Sequence, residues 1–198
     1  MLPPFTAAHG RRDFPADRCG TMIPMRRVAP LVACGLAVLL PGACAPAPEP
    51  AAFDVVEATI PEMVQAMEEG RLTSRELVEL HLQRIALYEE DVNAVMAVNH
   101  QALAIADSLD RLRAQGVILG PLHGVPVALK DNIHTTEMPT TGGALAFRGY
   151  TPPYRATITE NLHRAGAVIL AKTVMTELAN FMAAGMPGNY SAVGGYGM

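Results

Sequence analysis

Gly120-Pro-Leu-His-Gly-Val-Pro-Val-Ala-Leu-Lys-Asp-Asn-Ile133 is apolar from Val125 through Leu129, then turns polar at Lys130, Asp131 and Asn132. A short, unbroken apolar run of this kind is the pattern of a strand buried on both faces. Ala167-Val-Ile-Leu-Ala171 repeats it further along. Between the two lie a Gly/Thr/Pro-rich loop, Thr135 to Pro153, and a helix expected from about Ala156 to Arg164, closed by Gly166. Strands joined through a helix predict an α/β layered fold.

Upstream, Thr59-x-x-Glu62 and Thr73-x-x-Glu76 both read as capping boxes. The first predicts a short helix ending at Gly70, the second a longer one from Ser74 to about Glu89. Leu77, Val78, Leu82 and Ile85 would line one face of the second helix. Asn93 to Val98 is β-like. Gln101 to Gln115 is amphipathic, with Ala102, Ile105, Ala106, Leu109 and Leu112 on one side and Gly116 as its C-terminal stop. Downstream, Gly185 to Met198 is Gly-rich and predicts no closing helix or strand. With only two strands of the buried kind, the sheet reads as unfinished.

Lys130 carries the first chemical question. A lysine at the mouth of a buried strand can be desolvated, which lowers its pKa. A neutral amine can take a proton from a hydroxyl, whereas an ammonium cannot. The plain alternative is a lysine that snorkels to solvent beside Asp131.

The segment around Lys130 resembles the lysine motif of the amidase-signature family. The resemblance continues through Pro139-Thr-Thr-Gly-Gly-Ala144, Ala165-Gly-Ala-Val-Ile-Leu-Ala-Lys-Thr173 with Glu177, and Asn189-Tyr-Ser-Ala-Val-Gly-Gly195. Thr73-Ser-Arg-Glu-Leu-Val78 matches the family's usual opening. Motifs in this order and spacing cover most of residues 59–198. The resemblance implies an amidase-signature-type layered fold, a mixed sheet covered by helices, with 59–198 as its incomplete N-terminal part. It implies hydrolysis of carboxylic amides to an acid plus an amine or ammonia, by a Ser–cis-Ser–Lys triad with Lys130 as general base. In such a triad the lysine deprotonates a bridging serine, which activates the nucleophilic serine. Backbone N–H groups beside the nucleophile stabilise the oxyanion.

The chain's three serines are Ser74, Ser108 and Ser191. Ser74 falls in a helix's first turn and Ser108 within a helix. Ser191 has no adjacent serine and matches a family position near the site, not the nucleophile. The chain is therefore expected to stop before the serine pair, to be inactive alone, and to fold poorly by itself with apolar strand edges uncovered. Lys172, at the end of the second strand, is expected to support the architecture. His123 reads as a packed turn residue. The methionines from Met175 to Met186 read as core, with an acyl-lining role as the alternative.

The histidines show no metal-ligand spacing and no phosphate-binding Gly loop is present, so neither a metal nor a cofactor is expected. Residues 1–44 carry five Arg and two Asp, a balance of +3, and residues 45–198 a balance of −7. An acidic body without a basic stripe gives nucleic acid no footprint. All three cysteines, Cys19, Cys34 and Cys44, lie in the front segment, so the rest has neither disulfides nor cysteine metal sites.

That front segment reads as an address. Arg26 and Arg27 precede the uncharged run Val28 to Leu40, and Pro41-Gly-Ala-Cys44 follows. A positive start, an apolar stretch too short to span a bilayer comfortably and a small-residue exit are the marks of an export signal. Translation starting at Met22 or Met25, instead of Met1, would give that signal normal proportions. Cys44 resembles the lipid-modified cysteine of bacterial lipoproteins, although Pro41 stands where such signals usually have Leu. A Pro/Ala-rich tether follows over 45–58. The expectation is an exported protein, periplasmic or membrane-anchored through Cys44, acting on a small amide substrate. Two further readings are a non-catalytic exported lipoprotein with an amidase-like half as a binding module, and an amidotransferase A-type subunit. Export and acidic balance count against the latter, because tRNA is cytoplasmic and polyanionic.

Overall fold

The structure, a computed structural model, describes residues 52–182 and 184–198. The export segment, with Cys44, lies outside the described residues, as does the tether up to residue 51.

Both capping boxes form. Thr59 opens α1 (Ile60–Glu68), and its backbone N–H donates to Glu62 at 2.7 Å. Thr73 opens α2 (Ser74–Val92) in the same way, at 2.8 Å to Glu76. A second device sits on the same helix end: Asp110 of α3 (Ala102–Ala114) accepts from the N–H groups of Ser74 at 2.7 Å and Arg75 at 3.0 Å. A carboxylate on free N–H groups at the positive end of a helix is stabilising. It also ties α2 to α3. α2 runs past the expected Glu89 to Val92, where Asn93 adopts a left-handed cap at φ 44°.

The main sheet has three strands in the order β1-β3-β2. β2 (Pro126–Lys130) pairs parallel with β3 (Val168–Thr173), from Pro126 opposite Val168 to Lys130 opposite Thr173. β1 (Val95–Val98) pairs antiparallel on the other side of β3. The sheet is thus mixed, and β3, between two partners and under helices, is nearly all buried. β1 is the β-like stretch; all four of its residues are only half-buried, because it is an edge. One core cluster joins Val78 of α2 and Ala102, Ala106 and Leu109 of α3 to Val168 and Leu170. A second, on the opposite side of the sheet, joins Leu129 and Ile169 to Met138, with Leu162 of α4 (Thr157–Arg164) packed against them. Leu77 belongs instead to a third cluster with Met63, Met67 and Val125, so the expected single face of α2 serves two cores.

At α4's C-terminal turn the chain passes close beneath His123. A Cβ built on Gly166, at φ 85°, would lie 2.7 Å from the His123 Cα, so only glycine fits there. His123 is buried; its Nδ1 accepts from the Leu119 N–H at 3.1 Å and its Nε2 faces the Leu109 carbonyl at 3.0 Å. The packed-turn reading of His123 matches this geometry.

The Gly-rich end departs from expectation. Tyr190–Ser191 (β4) and Gly195–Tyr196 (β5) form a small antiparallel hairpin. Asn93 fixes it, donating from Nδ2 to the carbonyls of Gly194 and Tyr196, both at 2.7 Å. Two-residue strands are too short to carry an alternating pattern, which is why the sequence shows none. Of the methionines in the preceding stretch, Met175 is buried and Met182 is exposed.

Candidate active site

Strand alternation divides the end of β2 between two sides of the sheet. Leu129 and Asp131 point inward and are buried; Ala128 and Lys130 point the other way and are exposed. The burial expected at Lys130 is not what the described residues show: its side chain is exposed. The buried lysine is its neighbour across the register, Lys172, which faces Leu129 and is 0% exposed. These two are the chain's only lysines.

Lys172 Nζ donates to Thr140 Oγ1 at 2.9 Å and to the Pro139 carbonyl at 3.3 Å, and lies 3.5 Å from Asp131 Oδ1. Burial pushes the Lys172 amine below the ordinary lysine range, and the Asp131 carboxylate opposes that shift. Asp131 is itself 0% exposed. Its Oδ2 accepts from the Thr141 hydroxyl, from the Thr141 N–H at 3.1 Å and from the Gly143 N–H at 3.3 Å. Its Oδ1 has no hydrogen-bond partner and faces Lys172 alone. A buried ion pair of this kind is costly to break from one side, about 3–5 kcal/mol, because the remaining charge stays stranded.

The pair fastens three segments at one end of the sheet: the exit of β2, the loop Pro139–Gly143 and the exit of β3. The loop in turn meets the small hairpin. Gly143, at φ 75°, packs against Ser191 so closely that a Cβ on it would lie 2.6 Å from the serine's own Cβ. Ser191 is buried, and its Oγ accepts from the Gly194 N–H at 3.0 Å. Glu177 accepts from the Ala192 N–H at 3.0 Å, and the Val193 N–H donates to the Gly143 carbonyl at 3.2 Å. Ser191 thus braces the loop. Ser74 is buried under α2's cap, and Ser108 donates to the Ala104 carbonyl at 2.9 Å within α3. The structure does not bring the three serines together.

A cleft of about 190 Å³ opens beside this end of the sheet, lined by Asn132, His134, Thr140, Gly142, Phe147 and Leu178. Its walls combine an amide, hydroxyl and imidazole with apolar surface, suited to a small polar head on an apolar body. Among the described residues no group of His, Cys, Asp and Glu is arranged to hold a metal. Asp131, Thr140, Thr141 and Gly143 stand in the quoted motifs, but no role was legible for them. A Thr-Thr-Gly-Gly following a strand that ends in Lys-Asp is the signal for such a carboxylate-binding loop.

The Amidase family model matches residues 76–190, and the chain belongs to that family. The glutamyl-tRNA(Gln) amidotransferase A subunit of Streptomyces coelicolor is 43% identical over 127 residues, 64% of this chain and 26% of that protein. Among solved structures, the native peptide amidase of Stenotrophomonas maltophilia superposes with a TM-score of 0.69 at 39% identity, covering 71% of this chain and 29% of that one. An amidase family protein of Bacillus anthracis gives 0.69 at 33%, with 73% and 29% covered. The α/β fold is thus the amidase-signature fold in part. The chain spans about a quarter of the length of the curated relatives it matches.

Proposed function

We propose that this chain is part of an amidohydrolase that cleaves carboxylic amides to an acid plus an amine or ammonia, with Lys130 as its general base. The observation that carries the reading is the exit of β2. It projects Lys130 from a rigid sheet end while Asp131, Lys172 and Thr141 lock the backbone beneath it. Rigid support of this kind is what a proton-transferring side chain needs. In the reaction a neutral Lys130 amine would take the proton of one serine hydroxyl, which would take that of a second. The second oxygen would attack the amide carbon, the amine would leave with a proton, and water would release the acid. None of the three serines here has a serine neighbour, so both hydroxyls would come from outside these 198 residues, and the chain alone would be inactive. The cleft beside Asn132 and Phe147 would receive part of the substrate.

Export through the front segment, with lipid attachment at Cys44, belongs to the same proposal and places the substrate outside the cytoplasm. A second reading, as the A subunit of an amidotransferase, is favoured by the identity to such proteins. It is opposed by the acidic body and the export-like front.

The test is hydrolysis of a panel of aryl and fatty amides by the complete gene product and by the 198-residue chain. Each is assayed with and without Lys130→Ala. We expect activity in the complete product alone, and a loss of at least about 100-fold on Lys130→Ala, the scale of general-base catalysis. Full activity in the Lys130→Ala variant would sink the proposal. Fractionation of expressing cells separates the two readings, since a cytoplasmic protein would favour the amidotransferase.

A further inference from the structure

We propose that Lys172 is a positioning residue that withholds the Asp131 carboxylate from Lys130, leaving the Lys130 amine without a counter-ion. The proposal deepens the reading of Lys130 as general base and rests on it. Adjacent lysine and aspartate side chains at the mouth of a strand would ordinarily meet in solvent as an ion pair. An opposite charge within about 4–6 Å favours the charged form of an amine, and a charged amine cannot accept a proton.

The structure shows a different division. Asp131 points to the side of the sheet opposite Lys130 and is wholly buried. One of its oxygens is consumed by three donors from Thr141 and Gly143, and the other faces only Lys172. Among the described residues Lys130 makes no ion pair within 4.0 Å. No other acidic group among them reaches Lys172, whose remaining partners are Thr140 and the Pro139 carbonyl. A buried lysine–aspartate pair is weak evidence for stability, because an apolar pair of the same size often does as well. Withdrawing a carboxylate from a neighbouring base gives this one a use that an apolar pair would lack.

The chain's two lysines make the test direct. Brief acetylation of the folded complete gene product with acetic anhydride at fixed, mildly alkaline pH modifies a lysine only while its amine is neutral and accessible. Peptide mass spectrometry then gives a rate for each lysine. In the wild type Lys130 should react and Lys172 should stay protected until the chain is denatured. Lys172→Met strands the buried Asp131 charge, whose Oδ1 then faces no cation. Turning toward solvent and Lys130 relieves it, and the Lys130 rate should fall by about three- to tenfold, since a pairing worth one pKa unit is tenfold in neutral amine. The double variant Asp131→Asn/Lys172→Met should return it to within about twofold of wild type, whereas a purely structural Lys172 would leave the Lys130 rate unmoved. An unchanged rate in folded Lys172→Met overturns the proposal. If that single variant does not fold by circular dichroism, Lys172→Gln, which removes the charge but keeps a hydrogen-bond donor beside Asp131, takes its place and is read in the same way. A markedly faster rate in the neutral double variant also overturns the proposal, because Asp131 would then have been holding Lys130 in the wild type. No hydrolysis is measured, so this result and the amidase assay fail independently.

Discussion

Glu137 sits in the loop before α4 with a nearly buried side chain, and Arg155 donates to it from Nε at 3.0 Å. His163 on α4 brings Nε2 within 3.5 Å of the same carboxylate oxygen. Burial first, and then the Arg155 charge, hold the His163 imidazole below its ordinary range, against the pull of Glu137 and Glu160. The folded state therefore prefers neutral His163, while the unfolded chain binds a proton near pH 6.5. The stability this contributes is present above that value and is lost as pH falls through it toward the lower folded value. Glu137 behaves alike further down: burial raises its carboxyl, Arg155 more than offsets that, and the depressed pKa makes its contribution vanish in acid. We expect the wild-type melting temperature to drop between about pH 7.5 and 5.5, and His163→Gln to drop less. Parallel curves for the two proteins would refute the assignment.

At the scale of elements, the α2 N-terminus is the joint most exposed to a single change. Asp110→Ala removes the acceptor of two N–H groups and the tie between α2 and α3. It should cost about 1.5–3 kcal/mol, the range for hydrogen bonds to a charged acceptor. Urea unfolding of the two proteins measures this, and a midpoint shift equivalent to less than about 0.5 kcal/mol would contradict it. The helices were legible because each carries its own start signal: Thr59, Thr73 and the stop at Gly116 act within a few residues. β2 and β3 were legible as strands from their apolar runs, but of the two only β3 is buried; β2 is an edge strand with Ala128 exposed, against the expectation of burial on both faces. What could not be read was tertiary in origin. Asp110 as a second cap joins residues far apart in the chain. The β4–β5 hairpin owes its place to Asn93, a residue of a distant helix end. The exchange of burial between Lys130 and Lys172 depends on pairing register and on which side of the sheet the Thr140–Gly143 loop covers. Both lysines end apolar runs, so the local pattern treats them alike.

For the molecule as described, the three-stranded sheet leaves β1 and β2 as its edges. Exposed apolar side chains, among them Ile118, Leu119, Phe147 and Phe181, add to the uncovered surface. Open strand edges and apolar patches template association. The 198-residue chain by itself should therefore sediment as a concentration-dependent mixture and unfold over a broad range. A single sharp melt with a monomeric sedimentation profile would show that these surfaces are self-sufficient.

The strand order also sets a timetable. β3 is the last of the three main strands to be made, yet it lies in the middle, so neither β1 nor β2 has a neighbour until Thr173 has been synthesised. At ~5–20 residues per second the ribosome needs several seconds between Lys130 and that point. During this interval α1, α2 and α3 can associate, but the apolar run from Val125 to Leu129 has nothing to pair with. Contacts so distant along the chain form slowly even after synthesis. The nascent protein thus carries an unpartnered strand for longer than its helices take to fold, and in that window a holding chaperone would have the most to bind.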